Sequence, residues 1–188
     1  GLLVLSVPAA AALLPGYVPV IRSHAFTYCF FGVTLFCLEE IRAGKNWPAF
    51  ALPLVMLVWS NVHGGFAAGL GTVTIYTAWA LLTRRRVQFM LVGAACSALV
   101  TLINIYGLKF WAYLLPAILH KRPRITEWQP LPLWERDAFV GFRILFVLVV
   151  LELVAAWRRT EKKSWPALMM LALTAFLAWR SRRHTPFF

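Results

Sequence analysis

The stretch FAAGLGTVTIYTAWALLTRRR, residues 66–86, decides the fold of this chain. Residues 66–83 are uncharged and mostly apolar, and a helix of roughly 20 apolar residues crosses the hydrocarbon core of a bilayer. The three arginines that follow are typical of the cytoplasmic end of a span, because short basic loops stay on that side. The stretch therefore predicts a transmembrane helix that ends in the cytoplasm.

The composition extends this prediction to the whole chain. Of its 188 residues, 61% are hydrophobic and 14% are charged, and the mean hydropathy is +0.70. Soluble domains carry about 25% charged residues. One core cannot hide this much apolar surface, because a soluble domain of this size leaves roughly a third of its unfolded-chain surface in water. The composition disfavours a soluble enzyme, a disordered tail and a disulfide scaffold.

The charge is strongly basic, with a formal net charge of +12. Lysines and arginines stand in short clusters between apolar runs. This pattern points to membrane phosphate, on lipid headgroups or on a substrate, and we expect no nucleic-acid partner. The three cysteines lie inside apolar runs without C-x-x-C spacing, so we interpret them as small core residues.

We expect an all-α fold, a single polytopic transmembrane helix bundle of about six spans. The other five spans share an apolar run bounded by polar loops: residues 24–41, 47–61, 88–104, 138–157 and 165–179. Residues 107–120 are apolar and aromatic but short, which predicts an interfacial or re-entrant helix. Residues 121–137 contain prolines that forbid a continuous helix and predict an outer loop.

The two ends of the chain look like cuts through a longer membrane protein. Residues 1–20 form a broken or partial span because of Pro8 and Pro15. They start in an apolar run without the charged region of a signal peptide. The last residues, HTPFF, open another apolar run. We expect residues 1–188 to be one domain of a longer chain and to be inactive on their own.

The loops fall into two alternating sets. The loops RAGKN (42–46), RRR (84–86) and RRTEKK (158–163) are short and basic, and we expect them in the cytoplasm. The remaining loops should lie outside, yet they carry many basic residues: Arg22, Lys109, Lys121, Arg122, Arg124, Arg136, Arg180, Arg182 and Arg183. We interpret several of them as converging on an anionic ligand, the alternative being that some reach to outer headgroups.

The run WSNVHGG, residues 59–65, is the first candidate site. Asn61 and His63 lie at the mouth of two predicted spans. The two glycines allow a tight turn and a close approach to a ligand. His63 would act as a base, a phosphate partner or a metal ligand. The alternative is a helical hairpin turn whose polar side chains are satisfied internally.

The run RSRRH, residues 180–184, is the second candidate site. Arg180, Arg182, Arg183 and His184 together suit a phosphate or pyrophosphate, because guanidinium groups bind phosphate oxygens bidentately. The alternative is a stop-transfer cluster, which the alternation of the loops places on the wrong side.

The third candidate site lies in residues 120–137. Glu127, Glu135 and Asp137 are the acids of the predicted outer loops, so an outer base from this segment must be one of them. Trp128 would stack on a sugar ring or lie in the headgroup belt.

Other polar residues have structural interpretations. Residues 104–107 are expected to end a span and turn the chain, and Glu39, Glu40 and Glu152 to pair with nearby basic residues. The four histidines and the outer acids show no zinc spacing. We therefore predict no cofactor and no metal site, a divalent metal being the less favoured alternative.

Five motifs, in order along the chain, resemble a group of bacterial polytopic membrane proteins usually described as GT-C-type glycosyltransferases. They are Arg22…His24-Ala25-Phe26, LVWSNVHGGFAAGL (57–70), LINIYGLKFWAYL (102–114), ITEWQP (125–130) and RSRRHTPFF (180–188). The general plan is similar to that of protein O-mannosyltransferases and lipid A aminoarabinose transferases. This chain has Ile105 and Ser23 where the pattern has proline, and both departures keep the polar residues.

The resemblance implies sugar transfer from a polyprenyl-phosphate-type donor to an unknown acceptor, at the extracytoplasmic face of the bacterial inner membrane. It assigns the donor phosphate to Arg22, His63, Arg180, Arg182, Arg183 and His184, and the sugar or acceptor to Asn61, Glu127 and Trp128. The family's catalytic carboxylate is expected before Gly1, and within this chain Glu127 and His63 are the candidates for a catalytic role. A transporter or flippase of an anionic lipid-linked substrate and a non-catalytic membrane scaffold are the alternatives.

Overall fold

A computed structural model describes residues 24–119, 129–131, 140–159 and 164–180, and helices are the regular elements found within them. The helices are α1 (His24–Arg42), α2 (Pro48–Val62), α3 (Phe66–Thr83), α4 (Val87–Val100), α5 (Leu108–Leu119), α6 (Val140–Arg159) and α7 (Trp165–Arg180). The all-α prediction is confirmed for these residues. Residues 1–20 and most of the predicted outer loop lie outside them.

The described residues belong to two compact units, one within Arg22–Lys121 and one within Arg122–Phe188. In the first unit α1, α2, α4 and α3 follow one another around a four-helix bundle, each packed on the next, and α3 returns to α1. Proline begins α2, as its sequence predicted, because Pro48 stands where a helix has no use for the missing N–H.

Short loops give this bundle two distinct ends. We call residues 39–48 and 83–87 the basic end. Arg86 Nη2 joins its two loops by donating to the Lys45 carbonyl oxygen at 3.1 Å. We call residues 24–27, 59–66 and 101–111 the histidine end. The loops RAGKN and RRR, predicted to share one side of the membrane, do share one end of the bundle.

The fourth predicted span ends earlier in the structure. It was expected to reach residue 104, but α4 ends at Val100. Thr101 turns its hydroxyl back to the Ala98 carbonyl oxygen at 2.6 Å, and Asn104 donates to the Thr101 carbonyl oxygen at 2.8 Å. These side chains satisfy the backbone locally and so allow the helix to stop.

Small residues bring the helices of the bundle close together. Trp59 on α2 is buried and stacks on Phe30 of α1, with 5.8 Å between ring centroids. The indole lies over Gly69 of α3. On the other flank of α2, Gly93 of α4 lies against the Ala49 backbone. Close backbone approach at Gly and Ala is the packing that membrane helices use.

The outward faces of the helices are apolar. On α2 the exposed large apolar residues recur every fourth position: Phe50, Leu54, Val58 and Val62. On α6 they also follow one face: Val140, Ile144, Val147, Leu151 and Val154. The buried polar side chains of the described residues are all hydroxyls: Thr27, Thr34, Ser60, Thr72, Thr77, Ser97, Thr101 and Thr174. A soluble helix shows the reverse arrangement, with charged residues outside.

By length and composition, α3 is the helix of the described part that is long and apolar enough to cross a membrane, while α2, α4 and α7 are shorter apolar helices. The number of spans therefore stays a prediction.

The second unit contains an antiparallel pair formed by α6 and α7. Trp179 near the end of α7 packs edge-on against Phe142 and Phe146 near the start of α6, with ring centroids 5.8 and 5.6 Å away. At the other end of the pair Trp157 meets Trp165 at 5.0 Å.

We predict opposite outcomes for two glycines of α3. A side-chain carbon at Gly69 would lie 2.7 Å from Met56 Cε and closer still to Trp59 Cζ3, whereas Gly71 has open space. Gly69→Ala should lower the free energy of unfolding by about 1–3 kcal/mol because it overpacks the core. Gly71→Ala should hold or raise it, because alanine favours helix. Unfolding in detergent followed by circular dichroism measures both, and equal effects would contradict this packing.

Candidate functional site

The structure describes three of the predicted site residues: Asn61, His63 and Arg180. The other six lie outside the described residues: Arg22, Glu127, Trp128, Arg182, Arg183 and His184. Asn61 and His63 belong to the histidine end of the first unit, and Arg180 ends α7 in the second unit.

Two contacts hold His63 at one ring nitrogen. The Gly65 backbone N–H donates to His63 Nδ1 at 2.9 Å, and Thr27 Oγ1 lies 2.7 Å from the same nitrogen. Trp59 Nε1 donates to Thr27 Oγ1 at 3.3 Å. Thr27 and Trp59 are buried, and His63 is half-buried. Side chains of α1 and α2 and the backbone before α3 therefore meet around this nitrogen.

The donors determine where His63 carries its proton. A backbone N–H and an indole N–H only donate, so Gly65 requires a lone pair on His63 Nδ1, and Trp59 uses Thr27 Oγ1 as its acceptor. Because Nδ1 carries no hydrogen, the Thr27 hydroxyl donates to it and shares its single lone pair with the Gly65 N–H. An accepting Nδ1 in a neutral imidazole leaves the hydrogen on Nε2. His63 is therefore a hydrogen-bond donor through Nε2. This state suits a phosphate oxygen, whereas a base or a metal ligand at Nε2 would need a lone pair there.

Gly65 is required by this arrangement. A side-chain carbon at Gly65 would lie 2.7 Å from Thr27 Cγ2 and 2.9 Å from His63 Nδ1. Its φ of −63° is open to any residue, so the constraint is space and not backbone conformation. From the sequence we expected both glycines to allow a tight turn and a close approach to a ligand. In the structure Gly65 instead leaves space for the Thr27 side chain.

Asn61 fastens the same end of the bundle. Its Nδ2 donates to the carbonyl oxygens of Leu57 at 2.8 Å and Ile103 at 3.0 Å. The second bond ties the end of α2 to the turn after α4. Because both amide hydrogens point to backbone carbonyls, a sugar or acceptor contact from Asn61 would use Oδ1.

The turn over residues 104–107 has the structural role predicted for it. Asn104 Oδ1 accepts the Tyr106 backbone N–H at 2.8 Å, and Gly107 takes a φ of +49°, which glycine adopts easily.

Aromatic side chains then fasten α5 at this end. Phe110 stacks on Phe66 at 5.8 Å, and Trp111 meets Phe66 edge-on at 5.4 Å. Lys109 and Tyr113, four residues apart on one face, stay exposed. An apolar body with an exposed lysine and tyrosine is compatible with the predicted interfacial helix.

In the second unit two candidate segments adjoin. The buried Leu131 donates its backbone N–H to the Trp179 carbonyl oxygen at 3.0 Å. This bond brings the described part of the predicted outer loop beside exposed Arg180, where the basic run 180–184 begins.

The predicted pairing of acids is confirmed for two of the three glutamates. Arg42 Nε donates to Glu39 Oε2 at 2.6 Å, and Lys45 pairs with Glu40. Tyr76 of α3 also donates to Glu39 Oε1 at 2.7 Å, a contact that the sequence did not predict. The side chain of Glu152 lies outside the description.

The cysteines and the possible metal ligands can be placed within the described part of the chain. All three cysteines are free thiols. Cys37 is buried and Cys96 is half-buried, but Cys29 is exposed, so the interpretation as a core residue is wrong for Cys29. Within the described ranges His, Cys, Asp and Glu form no group of three or more that could hold a metal ion.

Two substitutions should separate the roles of the His63 ring nitrogens. Asparagine places its oxygen near the Nδ1 position and still accepts from Gly65 and Thr27, whereas glutamine places its amide near Nε2. We expect His63→Asn to stay close to the wild type in stability. His63→Gln should lose about 1–3 kcal/mol, the cost of unsatisfied buried donors. Thermal unfolding measures this difference, and ¹⁵N NMR should show Nδ1 unprotonated in the wild type. Equal losses, or a protonated Nδ1, would contradict the assignment.

The chain matches none of the protein families, curated proteins or solved structures with which it was compared. What the chain does is therefore argued from its own residues and their contacts.

Proposed function

We propose that these helices belong to a polytopic membrane protein of the bacterial inner membrane. The observation that supports this best is the reversed distribution of polarity, with apolar stripes on the outward faces and hydroxyl side chains inside. Lipid tails solvate the first kind of surface, and most of the buried hydroxyls donate to nearby carbonyl oxygens, as Thr72 does to Ala68 at 2.9 Å. In water the same outward faces would drive aggregation.

The charges at the two ends give this proposal an orientation. The basic end carries Arg42, Lys45, Arg84, Arg85 and Arg86 within two short loops. Such loops are retained in the cytoplasm. The histidine end then faces outward. Exposed Tyr106 and Tyr113 suit the outer headgroup layer, where tyrosine is enriched.

We further propose that the outward end takes part in sugar transfer from a polyprenyl-phosphate-type donor. The support is His63, fixed as an Nε2–H donor, together with exposed Lys109 at the same end. In the transfer the acceptor hydroxyl gives its proton to a carboxylate and forms a bond to the sugar carbon. The bond from that carbon to the phosphate oxygen breaks, and the phosphate leaves with the electron pair.

In this proposal His63 acts on the leaving phosphate. A fixed donor that faces developing negative charge contributes about 3–4 kcal/mol to transition-state stabilisation. A role in binding phosphate is also predicted, from the sequence alone, for Arg22, Arg180, Arg182, Arg183 and His184. Glu127 is the candidate base within the chain, and Trp128 and Asn61 are the proposed sugar or acceptor contacts.

Cysteine labelling tests the membrane placement. In a chain with Cys29, Cys37 and Cys96 replaced, Tyr106→Cys should react with an impermeant thiol reagent in intact cells. Arg85→Cys should react only after the membrane is permeabilised. Leu54→Cys provides the decisive control, because Leu54 is 65% exposed within the chain but should lie in lipid. It should stay unlabelled until the protein is denatured. Labelling of Leu54→Cys in intact cells, or of Tyr106→Cys and Arg85→Cys from one side, would refute the placement.

Ligand binding tests the chemistry. Tryptophan fluorescence of the full chain in neutral detergent should report binding of a polyprenyl monophosphate. His63→Asn should weaken this binding about tenfold or more, the value of one hydrogen bond to a charged group. Gln88→Ala, an exposed and uncharged position at the start of α4, should leave it unchanged. Equal affinity of His63→Asn and the wild type would remove His63 from the proposed phosphate site.

A further inference from the structure

Two arginines at the basic end have a backbone conformation that favours glycine. Arg84 has φ 55° and ψ 29°, and Arg86 has φ 57° and ψ 23°. Arg84 directly follows α3. Its N–H points to the Leu81 carbonyl oxygen at 3.4 Å, and the Arg85 N–H points to the Ala80 carbonyl oxygen at 3.1 Å. This pair of bonds is the ending in which helices commonly place glycine. A residue with a side chain is strained there.

The strain at Arg86 is compensated within the chain. Its guanidinium group donates to the Lys45 carbonyl oxygen and to Asn46 Oδ1 and lies 4.4 Å from the centre of the Phe89 ring. These contacts fix the turn between α3 and α4 against the loop between α1 and α2.

The strain at Arg84 has no such compensation in the described part of the chain. The side chains of Arg84 and Arg85 are exposed and form no hydrogen bond or ion pair with any described residue. The two acids of the basic end are already paired, Glu39 with Arg42 and Glu40 with Lys45. Two guanidinium groups thus stand without an anion on a turn that Arg86 holds in place. Because no contact with a described residue offsets the backbone strain at Arg84, we look for a binding partner outside the chain.

We propose that Arg84 and Arg85 bind the phosphate of an anionic phospholipid headgroup. Guanidinium groups bind phosphate oxygens bidentately. The neighbouring side chains favour a lipid as the source of the phosphate. Leu82 is 86% exposed directly before the arginines, and Trp47 is 52% exposed on the other loop of the same end. Exposed leucine and tryptophan beside basic residues are typical of the bilayer surface. The inference rests on the proposed membrane placement and is independent of sugar transfer.

Melting of the full chain in neutral detergent tests the inference. Phosphatidylglycerol, phosphatidylcholine and inorganic phosphate are added in separate arms. We expect phosphatidylglycerol to raise the melting temperature of the wild type more than the other two do. Arg84→Gly should melt above the wild type without lipid, because the backbone strain is removed. Its apparent affinity for phosphatidylglycerol should fall about fivefold, the value of one arginine near an anionic surface.

Two further variants complete the test. Arg84→Lys retains the charge but loses the bidentate guanidinium contact, so its affinity for phosphatidylglycerol should lie between those of the wild type and Arg84→Gly. Arg85→Ala has no strain to remove, so it should melt like the wild type without lipid and bind phosphatidylglycerol about fivefold more weakly. Lower stability of Arg84→Gly without lipid, or an unchanged lipid response in both Arg84→Gly and Arg85→Ala, would overturn the inference. An equal response to inorganic phosphate would overturn the assignment to a lipid. Loss of polyprenyl-phosphate binding at the histidine end would leave these results intact, so the two proposals fail separately.

Discussion

The indole of Trp59 is the contact on which the first unit depends. Its ring fills the space over Gly69 of α3 and stacks on Phe30 of α1, while its Nε1–H donates to Thr27. One side chain of α2 therefore fixes two neighbouring helices by packing and one of them by a hydrogen bond. Indole is suited to this position because it combines a large apolar surface with one polar group that needs a buried partner.

The same tryptophan also positions polar side chains at the histidine end. Trp59 donates to the Thr27 oxygen, and the Thr27 hydroxyl and the Gly65 N–H both donate to His63 Nδ1. The Gly65 N–H fixes Nδ1 as an acceptor, and packing around the indole places the Thr27 hydroxyl beside it. These contacts decide what His63 offers to a ligand.

The sequence predicted the helices well where strong local signals mark their ends. Pro48, the two glycines after His63 and the three arginines after Thr83 interrupt the apolar runs, and the helices begin and end beside them. The end of α4 was missed because residues 101–104 are apolar enough to continue a helix. Only the local hydrogen bonds of Thr101 and Asn104 show that it stops.

The site was less predictable than the helices, for a physical reason. The runs of α1 are apolar on every face, so periodicity does not reveal that Thr27 points inward. The contact between Thr27 and His63 could therefore not be predicted, although the sequence did indicate His63 and the glycines after it as a candidate site. The conformation of Arg84 was hidden for a related reason, because the sequence signal for a left-handed helix end is a glycine or an asparagine and not an arginine.

The two ends of the bundle differ in how their polar groups are satisfied. At the histidine end, four residues donate hydrogen bonds to other parts of the chain: Thr27, Trp59, Asn61 and Gly65. Internal contacts therefore set the geometry of this end before any ligand arrives. At the basic end Arg42, Lys45 and Arg86 make internal contacts, but Arg84 and Arg85 have no anion among the described residues. A preorganised end suits a ligand that must be held in one geometry during a reaction. An end with uncompensated charge suits a fluid surface of many equivalent phosphates, which a bilayer provides. The asymmetry of the bundle thus matches the two faces of the membrane in which we place it.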